Sequence, residues 1–221
     1  MSLEYRCFRY FHFANLCRPG TPSRLAGSAE EAAQAAAKLM YAGHFAVGLV
    51  LKTQEPRLPT WAALTGTGLL DILFGIFVPL GIERATVVPH SSPGFRLDYI
   101  DWSHSLAMSL VWALVYGALF LGKGKRVAAF AAAAVFSHFV LDVFMHPPDL
   151  ALWPGSRLHL GLDFWHRFPT GWWWMELGFV AVCCGHYFIK SRSSELYGRH
   201  AGWACVVVFL LHVLNSPWLQ R

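Results

Sequence analysis

His138, Asp142 and His146 recur four residues apart at the end of an apolar run that begins at Val127 and closes on Pro147 and Pro148. On a helix each step of four overshoots a full turn by about 40°, so the three side chains project from one broad face. Imidazole and carboxylate are zinc ligands, and a carboxylate-rich set also admits manganese or iron. An ion with an open coordination position lowers the pKa of its water toward about 7, and two ions about 3.5–4 Å apart clamp the oxygens of a phosphoryl displacement. The same spacing also fits three polar side chains hydrogen-bonded between packed helices.

Other residues of these types lie elsewhere in apolar surroundings. Asp71 sits near the middle of the run 60–82, where an unpaired carboxylate in a bilayer costs about 2.5–3.5 kcal/mol on the insertion scale, which protonation or a buried cation can offset. His104 falls in the first turn of the next run, after Asp101 or Ser103 as cap, on the side where His146 ends. His44 stands alone, and a lone helical His is more often a core residue unless other ligands meet it. Glu176, just inside a later run, is a candidate catalytic base or ligand; a carboxylate facing water fits equally. His159 and Asp163 share the four-residue spacing, but Gly155 and Gly161 weaken the case for a helix there. His186, His200 and His212 read as packing or interfacial residues.

The elements that must position these groups follow from composition. The 221 residues are 55% hydrophobic and only 14% charged, against about 25% charged in an ordinary soluble domain. Much of the Trp stands where apolar runs begin, as in the aromatic belts of membrane proteins. The expected fold is all-α, a polytopic integral membrane protein of about five to six transmembrane helices and no sheet. The spans fall near 29–52, 59–82, 103–122, 126–146, 171–190 and 200–215. They form a single helical membrane domain over 40–216. Residues 1–39 are an N-terminal extension, a basic aromatic arm without the pattern of a signal peptide, and Met40 is an alternative start. Ser28 to Glu31 forms a capping box for the first helix, and Thr170 can cap the helix that opens Trp172-Trp173-Trp174, an interfacial anchor. Cys7 and Cys17 could pair in an oxidising compartment; Cys183, Cys184 and Cys205 lie in apolar runs and read as packing. The net charge of +5 comes from loop residues and calls for no nucleic acid. Lys52, Arg57, Lys123, Lys125, Arg126, Lys190, Arg192 and Arg199 fall on one side and Arg84, Arg96, Arg157 and Arg167 on the other, and the positive-inside rule makes the first side cytoplasmic. The loops 83–102 and 147–171 are then extracytoplasmic.

His44-Phe45-Ala46-Val47-Gly48, Asp71 in its Leu-Leu-Asp run, Ser103-His104-Ser105, His138 with Asp142, and Leu152-Trp153-Pro154 occur in an order that resembles the YdjM-like family of membrane-bound metal-dependent hydrolases. The resemblance covers about Met40 to Tyr187. That family is distantly similar to zinc-dependent phospholipase C and P1-type nucleases. The resemblance implies that Asp71, His104, His138 and Asp142 form one metal site, with His44 beside it for a neighbouring ion. His146 matches a further ligand in order; His159 and Asp163 depart from the pattern by an Asp in place of Glu, so Glu176 could serve instead. The implied protein is a hydrolase holding a divalent metal, zinc before manganese or iron. It would act on a phosphoester of a membrane lipid or lipid-linked substrate at the outer face of a bacterial inner membrane. A transporter or proton pathway and a non-catalytic assembly subunit are the alternatives. Polar residues thin out towards Lys123, against a pathway.

Overall fold

The computed structural model describes residues 42–87, 95–168, 170–194 and 198–216. Some 70% of the interpretable residues are helical, in nine helices. The capping box at Ser28 to Glu31, Cys7, Cys17 and the arm 1–39 lie outside the described residues, as does the first part of the span expected at 29–52. What is described of that span is α1, Ala42–Gln54.

Two of the expected spans are broken. The run 59–82 divides into α2, Thr60–Thr67, and α3, Leu69–Phe77, bent by 52°. Gly68 sits at the break, and the Thr67 carbonyl there accepts from His138 Nδ1 at 2.6 Å. The run 103–122 becomes α4, Asp101–His104, and α5, Leu106–Ala118, separated by an extended Ser105. Ser105, rather than Asp101 or Ser103, caps α5, its hydroxyl accepting from the Met108 amide. The Ala107 amide in that first turn donates to the Leu152 carbonyl at 2.9 Å, so the Leu152-Trp153-Pro154 loop is fastened over the break.

The remaining helices match expectation closely. α6 runs Lys125–Met145 and ends because His146, extended at φ −67° and ψ 146°, precedes a proline. At 1.5 Å per residue its 21 residues span about 31 Å, the thickness of a hydrocarbon core. Among the described residues it is the one helix long and apolar enough to cross a membrane, and the bent α2–α3 pair passes the same test if taken as one span, so one or two of the five to six expected spans meet it. After the short α7, Phe164–Arg167, come α8, Gly171–Ser191, and α9, Gly198–Leu214. Thr170 is the residue before α8 but makes no side-chain cap. Trp172 and Trp173 are buried and only Trp174 is exposed, so two of the three expected anchors pack inward.

The expectation of no sheet is overturned on a small scale. Strands β1, Arg84–Val87, and β2, Phe95–Tyr99, pair antiparallel with a register irregularity after Arg84. Leu150–Ala151 (β3) pairs with His159–Leu160 (β4). Both lie in loops read as irregular, where backbone groups are satisfied by pairing across, helped in β1 and β2 by Thr86, Val87, Phe95 and Tyr99.

Two hydrophobic cores form. One joins α2, α3, α5 and α6 with Trp165 and with Trp172 and Trp173; the other joins α1, α9 and the later part of α8, with Cys183, Cys184 and Cys205 as thiols in or against it. Close approach in the first core depends on small residues: a Cβ on Gly117 of α5 would lie 2.8 Å from the Ala128 carbonyl oxygen of α6. Arg57 and Arg126 meet at one end. Glu55 receives Arg57 Nε at 2.9 Å and Arg126 Nε at 3.0 Å, and Thr53 contacts His186 of α8 at 3.2 Å. The Arg57 guanidinium bonded to Glu55 is the main cause that holds this carboxyl below its usual range.

Candidate metal centre

A set of buried imidazoles and carboxylates gathers away from Glu55, on the seam between the two cores. α6 supplies His138, 1% exposed, and Asp142, 3% exposed, one helical turn apart. The bend at Gly68 opens α3 with Asp71 in its first turn. The break at Ser105 leaves His104 as the last residue of α4. α1 brings His44, whose ring stacks on that of His138 with centroids 4.0 Å apart. All five are buried.

Their inward atoms converge. Asp71 Oδ1 lies 3.6 Å from both His104 Nε2 and His138 Nε2. Asp142 Oδ2 lies 3.7 Å from His104 Nε2 and 3.2 Å from His138 Nε2. Its other oxygen, Oδ1, lies 3.2 Å from His44 Nε2 and 3.9 Å from His146 Nε2. Two ligand groups meet the spacing an ion requires: Asp71, His104 and His138, and His44, His138 and Asp142. Tetrahedral ligands at zinc distances of 2.0–2.1 Å stand about 3.3 Å from one another, so separations of 3.2–3.7 Å fit a metal pocket. These residues could therefore hold an ion.

The outward nitrogens carry a second observation. His138 Nδ1 faces the Thr67 carbonyl, which only accepts, so Nδ1 carries a proton and Nε2 is turned to the carboxylates, where it can carry a second proton or meet an ion. His146 Nδ1 faces Asp149 Oδ1 at 3.0 Å, with the same consequence. His104 Nδ1 lies 2.6 Å from Ser103 Oγ, which in turn lies 2.7 Å from Glu83 Oε2. With the hydroxyl proton given to Glu83, Nδ1–H donates to Oγ and His104 too presents Nε2 inward. Metal-ligating histidines are held in this way, by an acceptor on the far nitrogen. Glu83 is buried in the loop after α3, and burial pushes its carboxyl above the ordinary range, against the hydroxyl and amide of Ser103, which hold it down.

Other residues singled out in the sequence have different surroundings. Glu176 is buried, but its Oε1 accepts from the Gly43 amide at 2.8 Å in the first turn of α1, and its Oε2 lies 3.5 Å from His212 Nδ1. It fastens the α1 N-terminus to α8 and forms no part of either ligand group. His212 stacks on Trp173 inside the protein. His159 is exposed on β4, and Asp163, left-handed at φ 60°, pairs with His166 rather than with His159. Glu83, Ser103, Thr67 and Asp149 were not singled out as partners of the cluster. Ser103 had a signal in its place beside His104; Thr67 acts through a backbone carbonyl, which no side-chain pattern reveals.

No protein-family model, no curated protein and no solved structure matches this chain.

Proposed function

We propose that the chain is a membrane-embedded, metal-dependent hydrolase, of the kind implied by its resemblance to the YdjM-like family. One observation carries the reading: imidazole nitrogens from α4 and α6 and the carboxylates of α3 and α6 converge at metal-ligand spacing, while the histidines' far nitrogens are engaged outward. His138, His104, Asp71 and Asp142 would hold a divalent ion, zinc first and manganese or iron as alternatives, with His44 and His146 on its flank. Such an ion supplies a Lewis acid and a water acidified toward neutrality. The chain's own residues do the rest. Thr67 and Ser103 fix ring orientation, Glu83 anchors Ser103, and Asp142 faces two pairs of imidazoles with its two oxygens.

Membrane embedding is supported by α6 and by large apolar side chains left open to the surroundings. Leu114, Val182 and Trp203 are 70%, 72% and 71% exposed on α5, α8 and α9, side chains that a surrounding hydrocarbon layer would cover. Arg57 and Arg126, together at the other end, support a cluster near the extracytoplasmic face of a bacterial inner membrane, with fewer basic residues in the loops 83–102 and 147–171. A site at that depth would meet a phosphoester of a membrane lipid or a lipid-linked substrate.

The test is hydrolysis of phospholipid and lipid-linked phosphates in nanodiscs by purified protein, with and without added zinc or manganese. Phosphoester cleavage that is lost on chelation, restored by metal and absent in Asp142→Asn is expected. Cleavage insensitive to chelation, or equal in the variant, contradicts the reading.

A further inference from the structure

Beside the cluster lies a cavity of about 250 Å³ between the start of α1, the end of α6 and the start of α8. Its walls include Leu141, Phe144, Met145, Met175 and Phe179, and the polar side chains that line it are His44 and Glu176. Phe144, Met175 and Phe179 are also open to the outside, so the cavity communicates with the outer surface of α6 and α8. An apolar cavity of about 150 Å³ stays dry and takes up benzene, so this one has room for a longer hydrocarbon. The oxygen Oε1 of Glu176 is held by the Gly43 amide. His44 belongs to both places: it lines the cavity, and its Nε2 lies 3.2 Å from Asp142 Oδ1.

We infer that this cavity takes one hydrocarbon chain of an amphiphilic phosphate-bearing substrate, whose head group then lies beside His44 at the cluster. The inference rests on the hydrolase reading above and narrows its substrate class. Three features favour an alkyl chain as the occupant. The lining is almost wholly aliphatic, aromatic and thioether; methionine walls adapt to flexible guests. The opening is on α6, the helix apolar enough to cross a bilayer, where alkyl chains are the surrounding medium. The passage from apolar walls to a polar cluster through a single shared residue matches an amphiphile's change from chain to head group.

The experiment uses the full chain in nanodiscs with Phe179→p-benzoylphenylalanine as a photo-crosslinker and deuterated decylphosphonate as probe. The metal content of the same sample is measured by elemental analysis. The expected result is a covalent adduct with the mass of the probe, competed by unlabelled alkylphosphonates. Their potency should rise about fourfold per added methylene until the cavity is full. Met175→Trp, which puts a larger side chain into the cavity and removes no ligand, should lower the adduct yield several-fold and leave bound metal unchanged. Crosslinks to residues 1–41 of the chain itself would make that segment the occupant and overturn the inference. So would an adduct yield that Met175→Trp does not change. Metal-free protein that still forms the competed adduct would uphold the cavity and remove the hydrolase reading, so the two failures are distinguishable.

Discussion

The protein buries two sets of carboxylate and imidazole at the same end, and they are built differently. Around Asp142, several Nε2 atoms point at shared carboxylate oxygens within 3.2–3.9 Å, and at His104, His138 and His146 an acceptor behind the ring fixes Nδ1. Around Glu176, one carboxylate oxygen takes a backbone amide and the other meets His212 at 3.5 Å, while the His212 ring lies flat on Trp173. The first arrangement converges on a point between side chains from three helices. The second joins helix ends: α1 to α8 through Gly43, and α8 to α9 through His212. Burial and residue type are alike, so neither distinguishes a ligand set from a structural tie. What differs is how many imidazole nitrogens turn to one carboxylate: four at Asp142, one at Glu176.

The largest difference should appear on removing the central ring of each set. His138→Ala leaves Asp71 and Asp142 buried without their shared imidazole, and removing one partner of a buried charged pair costs about 3–5 kcal/mol. It should also abolish stoichiometric metal. His212→Ala should lower the melting temperature through lost packing on Trp173 and leave bound metal as in the unsubstituted chain. Equal metal loss in both would erase the distinction.

A smaller effect is expected behind the ring. Ser103→Ala removes the hydroxyl between Glu83 and His104, and loss of such an outer partner weakens metal affinity about 10–100-fold. Competition with a calibrated chelator measures it. Affinity unchanged within twofold would mean that His104 needs no orientation, or is not a ligand.

Glu176→Gln sharpens the other side of the comparison. The amide keeps its shape and one acceptor for the Gly43 amide but loses the charge facing His212, so stability should fall by about 1–2 kcal/mol with metal unaffected. A fall in metal content comparable to that of Asp142→Asn would return Glu176 to the site.

The smallest effect is a pH dependence at the basic end. Arg57 and Arg126 hold the Glu55 carboxyl below its unfolded value, so the folded state binds its proton less readily. The stability this contributes is present above the ordinary carboxylate range and is lost as pH falls through the depressed value. Glu55→Gln should flatten that part of the melting-temperature profile in acid and lower the plateau near neutrality by about 1 kcal/mol. An unchanged acid profile would show that the bridge between the α1–α2 turn and α6 contributes nothing.

How much of this was legible in the sequence depends on what carried each signal. The four-residue spacing of His138 and Asp142 is a property of one helix, and α6 follows its apolar run from Lys125 to Met145. That Asp71 and His104 belong with them came only from the order of motifs, because their positions depend on two backbone breaks. Gly68 and Ser105 interrupt runs whose hydrophobicity is continuous, and hydropathy does not register a bend. Those same breaks bring Asp71 and His104 to the pocket, so the irregularity missed in the sequence is what positions the residues recognised in it. Glu176, a candidate base or ligand in the sequence, is buried with the Gly43 amide and His212 as its partners and belongs to neither ligand group, an arrangement that no spacing along the chain reveals.

The central claim is that the cluster binds a divalent ion. Zinc should be titrated into chelator-stripped, full-length protein in nanodiscs, and the bound ion counted by elemental analysis against Asp142→Asn and His138→Ala. The account predicts about one tightly bound ion per chain in the unsubstituted protein, weakened by a large factor in the first variant and absent in the second. A folded, unsubstituted chain that takes up no zinc, manganese or iron, or one whose uptake survives His138→Ala, would contradict it.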